Sequence, residues 1–147
     1  SKAGRCLVFG ASRDGMEIVG VVLNCSDWFD EAARLMDGCF ESYSMVRVLG
    51  PTMSAGKIKV VDGRQETAQL CAMQDLRVPL REGETAQIIL DIPESVRAPG
   101  YAGMHVGTAH VTVGGKTLAS SEVVLSEYVD SAHLTMDIRR VVSRWML

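Results

Sequence analysis

The sequence predicts a mainly β protein. An antiparallel β-sandwich domain is preceded by a β-hairpin and helix left from an α/β domain, and is followed by an amphipathic helix. Three observations predict this. Apolar runs flank Asp14-Gly15 near the start, and helical spacing follows over 28–40. After Gly50-Pro51 the period changes to two, with about six short strand candidates and a turn signal roughly every 8–12 residues. Helical spacing returns from Ser131 to Leu147.

The first region, 1–50, begins with the apolar run Cys6-Leu7-Val8-Phe9-Gly10-Ala11 and a turn at Ser12-Arg13-Asp14-Gly15. Asp-Gly between apolar runs signals a tight hairpin, because both residues tolerate positive φ. The second run, Met16-Glu17-Ile18-Val19-Gly20-Val21-Val22-Leu23, is β-branched and almost unbroken, the composition of a strand covered on both faces. Ser26-Asp27 offers N-cap side chains for a helix. Within it Trp28, Ala32, Leu35, Met36, Cys39 and Phe40 share a face, with Asp30, Glu31 and Arg34 largely opposite. Two strands and one helix are marginal alone, so this region reads as the tail of a larger α/β domain. Ser44 to Pro51 then carries the chain out of it, and Gly50-Pro51 marks the boundary.

Region 51–130 reads as the β-sandwich. Lys57-Ile58-Lys59-Val60-Val61 alternates and Asp62-Gly63 turns it, while Gln65 to Met73 alternates less cleanly. Leu76-Arg77-Val78-Pro79-Leu80 and Ala86 to Ile92 are further strands, and Pro79 suits an edge position. Pro93 to Gly103, with two prolines and two glycines, reads as a loop. His105 to Val113, Gly114-Gly115 and Lys116 to Ala119 form the clearest hairpin, its second arm extended by Ser121 to Leu125.

In region 131–147, Leu134, Ile138, Val141, Val142 and Trp145 form one stripe at helical spacing, opposite Asp137, Arg139, Arg140, Ser143 and Arg144. Three arginines against one aspartate make this a basic segment of a chain whose net charge is −3. Such a helix either lies in a membrane interface, each arginine adding about 1 kcal/mol on anionic lipid, or packs on its own domain or a partner.

With 47% apolar and 22% charged residues, 147 residues can bury a real core. The acidic balance excludes a nucleic-acid partner held by bulk electrostatics. No apolar run reaches the roughly 18 residues that a membrane-spanning helix needs. No leader and no initiating Met stand at the start, so the chain reads as a processed product or a piece of something longer. Cys6, Cys25, Cys39 and Cys71 show no C-x-x-C spacing, which argues against zinc. Cys6, Cys25 and Cys39 lie in or beside apolar segments and read as buried thiols. No cofactor motif stands in the chain: Gly114-Gly115-Lys116-Thr117 would need a glycine where His110 stands to form a phosphate loop. His105 and His110 are an odd number apart on one strand and point to opposite faces, so they cannot share a ligand.

Ser1-Lys2-Ala3-Gly4-Arg5-Cys6-Leu7-Val8, with Arg13-Asp14-Gly15, Val21-Val22-Leu23-Asn24, Asp27-Trp28 and the helix after it, resembles the serine-type D-Ala-D-Ala carboxypeptidases. These are the low-molecular-mass penicillin-binding proteins. In that family the Lys-Thr-Gly of the active-site strand is followed within a few residues by Ala-Gly-x-Cys-Leu-Val, matched here by Ala3 to Val8. The resemblance continues through Pro93-Glu94-Ser95-Val96-Arg97-Ala98-Pro99 and Val106-Gly107-Thr108, which are similar to the family's C-terminal β-domain.

The resemblance implies that region 1–50 is the end of the penicillin-binding domain and that the chain begins just after the Lys-Thr-Gly motif. It implies acyl transfer on peptidoglycan stem peptides, with Ser1 and Lys2 next to the substrate site. It also makes the tail a membrane-surface anchor through Leu134, Ile138, Arg139, Arg140, Val141, Arg144 and Trp145. The protein is then extracytoplasmic and peripheral on the outer face of the cytoplasmic membrane.

The catalytic elements themselves are missing from this sequence. Ser54-Ala55-Gly56-Lys57 matches Ser-x-x-Lys in letters only, because it feeds a strand and its lysine does not follow one helical turn below the serine. Asn24, the one asparagine, is preceded by Val22-Leu23, so no Ser-x-Asn exists, and Lys116-Thr117 runs into Leu118. The substrate-binding arginine of some relatives has no counterpart in Ser26 to Glu31. The chain alone is therefore expected to be inactive. The competing expectation is a stand-alone, non-catalytic β-domain that docks on a membrane surface or a protein partner through its C-terminal helix.

Overall fold

The computed structural model of the chain describes residues 4–132. These form two compact units, residues 4–46 with 77–85 and residues 47–76 with 86–132. In the first, β1 (Leu7–Arg13) and β2 (Met16–Val22) pair antiparallel in unbroken register from Leu7↔Val22 to Arg13↔Met16. Asp14 and Gly15 make the turn at φ 51° and 80°, the left-handed pair that a two-residue hairpin needs to match strand twist.

Helix α1 (Trp28–Ser42) packs on both strands. The Arg13 guanidinium stands 4.5 Å above the Phe40 ring and 3.6 Å from the Asp37 carboxylate, which ties the hairpin's end to the end of the helix. Contacts of this exposed kind are worth about 0.5–1 kcal/mol. Asp27 holds the N-cap position, but contrary to expectation its side chain makes no cap hydrogen bond. Asp30 and Glu31 in the first turn favour the helix dipole instead. Leu35 also departs from the expected buried face, being 38% exposed. A sheet only two strands wide is no broader than the helix and cannot cover its whole apolar stripe.

The segment expected to carry the chain away is a strand, β3 (Tyr43–Leu49). It forms a two-stranded sheet with a later strand, Leu76–Arg81. The Arg81 guanidinium lies 4.7 Å from the centre of the Tyr43 ring, and Arg47 pairs with Asp75 at 2.7 Å. Exposed Pro79 fits a ribbon with a free edge.

Leu76–Arg81, the partner of β3, is β6, and the second unit is built on β4 (Gly56–Val61), β5 (Thr67–Ala72), β7 (Ala86–Asp91), β8 (Ser95–Arg97), β9 (His105–Val113) and β10 (Lys116–Leu125). These make one six-stranded sheet in the order β7-β9-β10-β5-β4-β8. Every pair is antiparallel except β4 with β8, whose register runs from Lys59↔Ser95 to Val61↔Arg97. The expected loop from Pro93 to Gly103 thus contains a short strand, formed because a parallel partner lies ready far back in the chain. Gly114 and Gly115 turn the β9–β10 hairpin at φ 56° and 79°.

On the central strands successive residues are buried: Leu70, Cys71 and Ala72 on β5, and Val123, Val124 and Leu125 on β10. Neighbouring side chains point to opposite faces, so both faces of the sheet's centre are covered. Leu49, Val96, Ala98 and Val129 join this core. The mainly β class, with several antiparallel sheets, is the one expected from the sequence. The expected helix over 131–147 lies outside the described residues, except for Ser131 and Ala132.

Candidate functional site

The β1–β2 hairpin presents two unlike faces. Leu7, Phe9, Ala11, Met16, Ile18, Gly20 and Val22 form one register row, buried or half-buried on the side that α1 covers. A Cβ at Gly20 would run into the Phe9 ring, so the glycine lets that ring lie across the neighbouring strand. The other row is open. Val8 is 70% exposed, Val19 81%, Val21 53% and Leu23 69%.

An apolar patch of this kind on a sheet face marks an interaction surface. The composition of β2 calls for cover on both faces, and the described residues supply it on one. Cys6 shares the side of Val8 and is exposed for the same reason, which corrects its reading as a buried thiol. Cys25 and Cys39 are half-buried, Cys71 alone is buried, and none of the four is in a disulfide.

The chain enters β1 beside the segment that follows β2. The Cys25 amide donates to the Arg5 carbonyl at 3.2 Å, and Arg5 Nη1 reaches the Ser26 carbonyl at 3.5 Å. Ser1 and Lys2, expected next to the substrate site, lie outside the described residues. So do Leu134, Ile138, Arg139, Arg140, Val141, Arg144 and Trp145.

The remaining candidates are placed by the second unit. The Ser54 hydroxyl donates to Gln69 Oε1 at 3.0 Å, and Ser54 stands outside any helix. Lys57 is exposed on β4 opposite Gln69. The local backbone is extended, so the helical serine-over-lysine geometry of a Ser-x-x-Lys nucleophile is not formed. A register shift on β9 at Val106 lies between His105 and His110, so the alternation expected from their spacing does not hold. His105 pairs with Val124 and His110 with Ser120, four residues apart on one face of β10, and His110 Nδ1 is 2.8 Å from Ser120 Oγ. Lys116 and Thr117 begin β10 directly after the two-glycine turn. Among the described residues no group of three or more His, Cys, Asp or Glu side chains is arranged to hold a metal ion. An ion pair on α1 perturbs both of its members. Glu31 accepts from Arg34 Nη2 at 2.6 Å and from Nε at 3.0 Å. These hydrogen bonds hold the Glu31 carboxyl below its ordinary value.

Known proteins with this fold and sequence pattern give the site its context. D-alanyl-D-alanine carboxypeptidase DacF of Bacillus subtilis (strain 168) is 23% identical over 150 residues, covering 98% of this chain and 39% of that protein. Penicillin-binding protein 5 of Haemophilus influenzae superposes with a TM-score of 0.62 at 19% identity, over 88% of this chain and 40% of that one. A peptidoglycan synthesis regulatory factor (PBP3) of Streptococcus pneumoniae does so with a TM-score of 0.64 at 24% identity, again over 88% and 40%. The D-alanyl-D-alanine carboxypeptidase DacD of Francisella tularensis gives 0.58 at 21%, over 88% and 34%. These structural likenesses establish the fold, and the chain spans about two fifths of the length of the relatives it matches. The family model described as "Penicillin-binding protein 5, C-terminal domain" matches residues 43–131, from the start of β3 to the isolated Gly63↔Ser131 bridge. The chain therefore belongs to the penicillin-binding protein 5 C-terminal domain family.

Proposed function

We propose that this chain is the C-terminal portion of a serine D-Ala-D-Ala carboxypeptidase that trims peptidoglycan stem peptides. The observation that carries the reading is the open face of the β1–β2 hairpin. An apolar row of Val8, Val19, Val21 and Leu23 in water is what an α/β sheet leaves behind when its remaining layers belong to another stretch of chain. In the complete enzyme a serine supplied by that other stretch attacks the carbonyl of the D-Ala–D-Ala bond and expels the terminal D-Ala. Water then hydrolyses the acyl-enzyme. Ser1 and Lys2 continue the Lys-Thr-Gly strand and neighbour the substrate without taking part. Alone, the chain has no nucleophile–base pair and turns nothing over.

The same reading places the protein outside the cytoplasm, peripheral on the outer face of the cytoplasmic membrane, with the basic apolar segment 131–147 in the lipid interface. Determining the coding sequence upstream of the Ser1 codon tests the enzymatic part. An open frame carrying Ser-x-x-Lys, Ser-x-Asn and Lys-Thr-Gly is expected. The longer product should take a labelled penicillin, and the 147-residue chain should not. A stop codon with a start site at that point, or a penicilloyl adduct on the short chain, overturns it. For the tail, pelleting with anionic vesicles should fall on deleting residues 131–147 and on raising salt. Equal pelleting with and without the tail refutes the membrane assignment.

A further inference from the structure

The six-stranded sheet ends in two unlike edges. At one, β8 is only three residues long, and Pro93 and Pro99 stand just outside it. Short edge strands and prolines are usual guards against the addition of a further strand. At the other edge β7 has neither. It runs for six residues without proline or lysine, and it pairs with β9 in unbroken register from Ala86↔Val113 to Asp91↔Thr108. None of its side chains is buried, and Ile88 and Ile89, on opposite faces, are 40% and 52% exposed. Along its free side, alternate N–H and C=O groups have no partner strand among the described residues.

We propose that β7 is a self-association edge: β7 of a second copy pairs with it antiparallel, joining two six-stranded sheets into one. The strand is complementary to itself in this arrangement. With Ile89 on the two-fold axis, Ile88 stands opposite Leu90 of the second copy, and Gln87 stands opposite Asp91. Ile88 and Leu90 lie on the face of Val111 and Ala109, which are fully buried. The Ile88–Leu90 pairs, formed twice, thus carry that core across the joint and take Ile88 out of water. On the other face each Gln87 amide donates to an Asp91 carboxylate, also twice, as an isologous contact requires. A joint of one strand per copy is smaller than a standard interface, so the dimer forms in the micromolar range rather than the nanomolar.

Sedimentation velocity of the 147-residue chain tests this, from about 5 to about 200 μM. Every sample carries Val19→Lys, so that the open hairpin face does not itself associate. A dimer that grows with concentration is expected. Gln87→Lys adds a Lys–Asp pair across the joint at two places and should tighten the dimer by about 3–10-fold. Gln87→Glu sets like charges opposite one another and should loosen it by a similar factor, and Ile89→Lys should abolish it. Gln87 and Ile89 are both exposed, so the thermal melts should be unchanged. A monomer at every concentration, a dimer indifferent to these substitutions, or the same sign of change for Gln87→Lys and Gln87→Glu overturns the proposal.

Discussion

Replacing Val19 with lysine distinguishes a face that is meant to be wet from one that is meant to be covered. In the 147-residue chain Val19 is 81% exposed. A lysine there stays in water, and a substitution of this kind shifts stability by about 0.5 kcal/mol or less. In a longer protein whose upstream portion covers the hairpin, the same lysine enters an apolar interface. The lost burial of valine costs about 1.5–3 kcal/mol. Taking an unpaired ammonium out of water adds several kcal/mol, for a total near 5 kcal/mol. Urea unfolding of the two polypeptides reads the contrast. With a slope of about 1–3 kcal/mol/M, the midpoint should hardly move for the short chain and should fall by roughly 2 M or more for the long one. Equal, small shifts in both would refute the idea that this face is an internal surface of the complete enzyme. The four exposed side chains together leave roughly 4–8 kcal/mol of burial unrealised, so the complete protein should also melt well above the short chain.

Other outcomes test the second unit and the helix. Leu70→Ala opens a cavity between β10 and β4 at a fully buried position and should cost about 2–5 kcal/mol, read as a fall in melting temperature of about 10 °C or more. Leu118→Ala, where the β9–β10 register shifts and the side chain is 42% exposed, should stay within about 0.5 kcal/mol by the same melt. Gly115→Val meets no atom in space but must adopt φ 79°, and a loss of about 1–2 kcal/mol with the fold retained is expected by denaturant unfolding. Arg34→Ala should raise the Glu31 titration midpoint, followed by its carboxyl carbon NMR shift. Because Glu31 titrates below its ordinary value in the folded chain, its contribution to stability is present above the ordinary carboxylate pKa and is lost as pH falls through the lowered one. That acid-side dependence should disappear with Arg34.

Local chemistry made much of this fold legible. Asp14-Gly15 and Gly114-Gly115 announce their hairpins because left-handed turn residues act within four positions of chain, and α1 is visible from its spacing alone. β3 and β8 escaped because each owes its existence to a distant partner. Tyr43–Leu49 is held by Leu76–Arg81, and Ser95–Arg97 by a strand that begins at Gly56. The bare apolar row of the first hairpin is foreshadowed by the unbroken apolar character of Met16 to Leu23, although which row is bare is not. Nor could the run Ala86 to Asp91 declare itself an edge, since an edge is a property of strand order. Cys6 is exposed for a related reason: an apolar neighbourhood in sequence does not fix which face of a strand is covered.

The division of the chain into its two units has a consequence for inheritance. The backbone passes from one unit to the other three times, between residues 46 and 47, 76 and 77, and 85 and 86. β3 and β6 each contribute residues to both units. A gene rearrangement with a single breakpoint at Gly50-Pro51 would separate Tyr43–Leu49 from the strand it pairs with and leave Arg77–Thr85 attached to the wrong half. The β-domain can therefore be exchanged whole only by a break ahead of Tyr43, where the family match begins and both strands of the β3–β6 ribbon stay on one side.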